Sequence, residues 1–127
     1  HTNTDITVED LKTKTLWAGD LLFIERTPVI DGDVHGFIAV INEILKLDVI
    51  QVIPGHGSPT KEWREAFKKE QDYFKLLRDE VRKAIDDDQD LQLTIETAGQ
   101  TESKKWELFE IQNARNINKI FPMMEWE

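Results

Sequence analysis

Trp63, Phe67, Glu70, Phe74, Leu77, Val81 and Ala84 follow one another in alternating steps of four and three, and only Glu70 interrupts the apolar series. A strand turns alternate residues to one side, whereas a helix turns every third or fourth, so this spacing calls for a helix with one buried face. Ser58 offers a capping hydroxyl and Pro59 suits the first helical position, which predicts a helix over residues 59–86. Charged side chains fill its other face. Asp86-Asp87-Asp88 ends it, because acidic groups are unfavourable at the negative helix C-terminus. A helix of this kind needs an apolar layer to lie on.

The preceding segments supply that layer. Residues 4–8 alternate, Lys12-Thr13-Lys14 is a polar turn, and Thr15-Leu16-Trp17-Ala18 resumes the apolar run, which together predict a β-hairpin. Gly19-Asp20 is expected to end its second strand, with Leu21-Leu22-Phe23-Ile24 as a further short apolar segment. Beyond Asp31-Gly32-Asp33, the positions Val34, Phe37, Ile38, Ile41, Ile44 and Leu45 step by three and four and predict another helix. Val49–Ile53 is β-branched and apolar on both faces, the pattern of a covered central strand, and Pro54-Gly55-His56-Gly57 stops it. Strand, helix, strand and helix in this order predict an α/β layer architecture. A last helix is expected over 103–120, anchored by Trp106, Phe109, Ile117 and Ile120, with Asn113 and Asn116 weakening its pattern.

Composition narrows the function classes. The chain has 127 residues, enough for one small domain with a single core. Twenty-five acidic against 16 basic residues give a net charge of −9 with no basic stripe, which argues against nucleic-acid binding. No apolar run approaches the roughly 18 residues of a membrane span. The absence of cysteine excludes disulfide scaffolds, thiolate zinc sites and cysteine nucleophiles. The first residue is His1 rather than Met, and the chain is read as processed, trimmed or a fragment.

The three histidines are therefore informative. His56 lies between two glycines directly after an apolar strand, a placement suited to holding a metal or moving a proton, and equally open to a turn histidine that the loop tolerates. Asp20 stands likewise at a strand end, where it is either a ligand or a turn aspartate. His1 precedes the hairpin, and taken alone it is a frayed terminus. Strand ends and strand starts can converge at one sheet edge, and a His/Asp/His set suits a borderline metal such as zinc.

At these residues the chain resembles the metallo-β-lactamase superfamily of zinc hydrolases. His1-Thr2 is similar to the end of a Gly-His-Thr motif, Ala18-Gly19-Asp20 to a Thr-Gly-Asp strand end, and Pro54-Gly55-His56-Gly57 to a late Pro-Gly-His-Gly motif. The resemblance implies that His1 binds a first zinc, that Asp20 bridges two and takes part in catalysis, and that His56 holds the second. A closer resemblance, to periplasmic members associated with quinoprotein systems and sulfur oxidation, rests on three segments. They are His1-Thr2-Asn3-Thr4-Asp5, Leu16-Trp17-Ala18-Gly19-Asp20-Leu21-Leu22-Phe23 and Glu125-Trp126-Glu127. It implies a periplasmic location and sets Arg26 and His35 near the substrate side; each is otherwise a surface residue.

One departure matters as much as the match. The superfamily's His-X-His-X-Asp-His motif is missing, and three histidines cannot form it. The resemblance thus implies the C-terminal half of an αββα sandwich over residues 1–86, with 87–127 as a helical extension packed on the same domain. It further implies a hydrolase fragment, acting when complete on an ester, thioester or lactam-like bond of a small molecule. Alone it is expected to be inactive, with zinc weak or absent. Its expected partner is the missing N-terminal half or a second copy, with no nucleic acid and no membrane involved. The competing reading is a non-catalytic interaction domain that reuses the half-fold.

Overall fold

A computed structural model describes residues 5–127. It contains the strands β1 (Val8–Asp10), β2 (Thr15–Phe23) and β3 (Gln51–His56), and the helices α1 (Val34–Ile44), α2 (Trp63–Asp86), α3 (Leu91–Thr97) and α4 (Phe109–Glu125). The fold is α/β, with one small mixed sheet in the order β1-β2-β3. β1 and β2 form an antiparallel hairpin as expected, with Val8 opposite Trp17 and Asp10 opposite Thr15. Its first strand lies at Val8–Asp10 rather than over 4–8, residues 5–7 being outside it; β2 runs parallel to β3. The part of the hairpin expected at residue 4 lies outside the described residues.

Further features differ from expectation for local reasons. Gly19 does not end β2. It takes a left-handed φ of 55° and shifts the register against β3, so Thr15–Phe23 continues as one irregular strand. β3 begins at Gln51 rather than Val49 and is not stopped at Pro54 but runs on to His56. It is not central but occupies the sheet edge, which is where Pro54, lacking an N–H, can be accommodated. The long helix starts at Trp63 rather than Pro59, because Thr60 turns back to exchange two backbone hydrogen bonds with Val52, both 2.9 Å, and so covers the edge of β3.

The α2 stripe is buried throughout, Glu70 included. α2 packs on β2, and both α1 and α4 pack on α2. Leu16, Ala18 and Val52 are buried in the core these elements share. The opposite face of the sheet is open: Val8, Trp17 and Ile53 pair across the three strands in one row. Val8 is 59% and Trp17 52% exposed.

Residues 87–127 fold onto the same core. The short helix α3 is capped by Asp90, whose carboxylate accepts from the Leu93 N–H at 2.8 Å. α4 runs six residues later at its start than the 103–120 expectation, and its two asparagines strengthen it. Asn113 accepts from the Tyr73 hydroxyl at 2.9 Å and donates to the Ala98 carbonyl. Asn116 donates to the Tyr73 hydroxyl and the Pro28 carbonyl, and accepts from the Ile30 N–H. These bonds tie the 27–31 loop to both α2 and α4, and burial pushes the Tyr73 hydroxyl well above its ordinary pKa.

Candidate metal centre

The parallel pairing of β2 with β3 brings Asp20 and His56 together. The backbones approach so closely that a Cβ on Gly55 would stand 2.5 Å from Asp20 Oδ1 and 2.6 Å from the Gly19 carbonyl. Only glycine permits this contact, and the contact sets the carboxylate beside the imidazole. Asp20 Oδ1 lies 3.2 Å from His56 Nε2, with the side chains 46% and 37% exposed respectively.

Two further groups orient the imidazole. The Phe23 ring lies flat against it, centroids 4.6 Å apart and planes 8° from parallel. Arg26 makes a long contact of 3.4 Å from its guanidinium to His56 Nδ1. A guanidinium only donates, so Nδ1 accepts here, and a neutral ring then carries its proton on Nε2, on the side of Asp20. Arg26 is held there from a distance in sequence. Glu107 N–H donates to the Glu25 carbonyl at 2.7 Å, and Thr27 N–H donates to the Glu107 carbonyl at 3.0 Å. Glu25, Arg26 and Glu107, together with Ile24, Gly57 and Leu108, line an open cleft of about 710 Å³ beside His56.

The donor pair is compatible with zinc. Bonds of about 2.0–2.1 Å at tetrahedral angles put neighbouring donor atoms about 3.3–3.4 Å apart, close to the observed 3.2 Å. Asp20 and His56 would hold the ion through Oδ1 and Nε2. This requires the proton to leave Nε2 and Arg26 to release Nδ1. Among the described residues no group of three His, Cys, Asp or Glu side chains is arranged for a metal. His1, expected as the further ligand, lies outside the described residues.

Arg26 therefore joins Asp20 and His56, whereas His35 does not. The His35 ring contacts Glu127 at 2.9 Å, and Glu127 also pairs with Arg82. Arg26 is pinned to Glu107 just before α4, and Glu127 follows the other end of that helix, about 25 Å away at about 1.5 Å per residue. His35 belongs to a surface ion-pair cluster.

Two contributors were not singled out by sequence reasoning. Phe23 reads as one more apolar residue in its run, and nothing in the sequence marks its ring as a platform. Glu107 carried no signal. No protein-family model and no curated protein matches the chain.

Proposed function

We propose that this chain supplies the Asp20/His56 side of a zinc centre in a hydrolase of the metallo-β-lactamase superfamily, as the C-terminal half of its sandwich. The observation that carries the reading is the meeting, at 3.2 Å, of Asp20 Oδ1 and His56 Nε2, which come from two of the motifs the resemblance rests on. When bound, zinc lowers the pKa of a water toward about 7 and so supplies a nucleophile at neutral pH. The chain's own part is to hold and orient. Asp20 contributes a carboxylate, Phe23 fixes the imidazole plane, and Arg26 places a positive charge at the mouth of the cleft. That charge suits an ester, thioester or lactam-like substrate whose oxygen becomes negative during attack. The resemblance extends the reading to a periplasmic enzyme.

The coding sequence upstream of His1 tests the proposal. A His-X-His-X-Asp-His segment is expected there, and an unrelated domain in its place contradicts the reading. One observation favours a second reading, a non-catalytic interaction domain: the apolar row Val8, Trp17 and Ile53 faces outward from the sheet. Association that survives Asp20→Asn and His56→Ala, in a protein without zinc-dependent hydrolysis, would support that alternative.

A further inference from the structure

Glu70 is the one charged residue on a stripe that is otherwise apolar, and it is completely buried. Its Oε1 accepts from the Phe23 N–H at 3.0 Å, while Oε2 has no hydrogen-bond partner among the described residues. A half-satisfied buried carboxyl is costly, and an apolar residue of similar length would fill the stripe without that cost. The carboxyl therefore calls for a role beyond packing.

The strand geometry supplies one. Ile24 N–H donates to the His56 carbonyl across the β2–β3 ladder at 2.9 Å. Successive N–H groups of a strand point to opposite edges, so the Phe23 N–H points away from β3. On that edge β1 pairs only with Thr15, Leu16 and Trp17, and does not reach Phe23. Glu70 accepts from this N–H at a position that β1 does not reach. Phe23 in turn presents the ring on which His56 lies flat.

We infer that Glu70 is a positioning residue, which holds the end of β2 through the Phe23 N–H and thereby sets the plane of the His56 imidazole toward Asp20. Burial pushes its carboxyl well above the ordinary carboxylate range, and the contact to Phe23 asks of it only an acceptor oxygen. Glutamine can replace it in this role, whereas methionine, similar in length, cannot.

The test is the NMR shift of the His56 ring protons, measured on the metal-free full chain at one pH. Stacking on Phe23 displaces these protons upfield. Glu70→Gln is expected to keep the displacement, and Glu70→Met to lose it while the chain remains folded by circular dichroism. If Glu70→Met does not fold, Glu70→Asp keeps the acid but stops about one carbon–carbon bond short of Phe23, and a reduced displacement is expected. Wild-type His56 shifts in a folded Met or Asp variant would overturn the inference. Zinc affinity is a second readout that rests on the proposed function, with a loss of about tenfold expected for Glu70→Met and none for Glu70→Gln. A wild-type chain that binds no zinc would count against the hydrolase reading, while the ring shifts would still decide the role of Glu70.

Discussion

The Phe23 ring lies parallel to the His56 imidazole at 4.6 Å, so a residue from the core of the fold, 2% exposed, determines how a half-exposed histidine is presented. The site is thus an outgrowth of the packing beneath it. The same strand that carries Asp20 carries Phe23, and the same strand end that carries His56 carries Gly55.

Gly55→Ala should disturb both stability and site. The added Cβ meets Asp20 Oδ1 and the Gly19 backbone at 2.5–2.6 Å, and backbone cannot step aside as a flexible side chain can. A loss of about 1–3 kcal/mol in urea denaturation is expected, as for other overpacked sites. It should be accompanied by altered Asp20 and His56 resonances. A variant with unchanged stability and unchanged resonances would contradict the close approach.

Asn116→Ala should be among the more damaging substitutions outside the site. It leaves the Ile30 N–H and the Pro28 carbonyl without their partner and removes a donor to Tyr73. A buried group left unsatisfied costs about 1–3 kcal/mol, so a total of about 3 kcal/mol is expected. A loss below about 1 kcal/mol would mean that water replaces the amide and that the loop is not held as described.

Glu70 should shape the pH dependence of stability. Its folded pKa is raised well above the ordinary value of 4.5, so the folded protein keeps a proton that the unfolded chain releases. Stability must then fall as pH rises from about 4.5 toward the raised value, by up to about 1.4 kcal/mol per pH unit from this group. Glu70→Gln removes the titration, and its stability should rise relative to wild type across that interval. Parallel stability curves for the two proteins would contradict it.

Trp17 tests the open sheet face. With Val8 and Ile53 it forms an outward apolar row, and covering apolar surface is worth roughly 25 cal/mol per Å². The chain should associate at micromolar concentration in light scattering, and Trp17→Lys should return it to a 14.8 kDa monomer. A wild-type chain that is already monomeric and binds no hydrophobic dye would show that this face needs no cover.

The sequence was most legible where a pattern repeats. The four-and-three spacing from Trp63 to Ala84 is a local property of one helix, and every position of it is buried. It was misleading where the deciding partner is remote. Asn113 and Asn116 weaken an isolated helix, yet a tyrosine some 40 residues away turns them into its anchors. Pro59 suits a helix start, but Thr60 is claimed by Val52 on another element. The β-branched run ending at Ile53 looks covered on both sides because hydrophobicity records only that a face is apolar, not whether anything in the chain reaches it. At the site, His56 could be read from its glycine-flanked strand end, whereas Asp20, read as a strand end too, lies inside β2 beside the irregular Gly19. The placing of Arg26 depends on Glu107, about 80 residues later, and has no local signature. Glu70 did have one, as the sole charge in an apolar stripe.

The central claim, that Asp20 and His56 are two ligands of one zinc ion, is tested most directly by zinc titration of the full chain with calorimetric detection, beside Asp20→Asn and His56→Ala. Binding in the wild type should be weak, since no third ligand stands beside the pair among the described residues, should move the His56 proton from Nε2 to Nδ1, and should be lost in both variants. Zinc binding that persists undiminished in both variants, or a wild-type chain that binds none, would contradict the account.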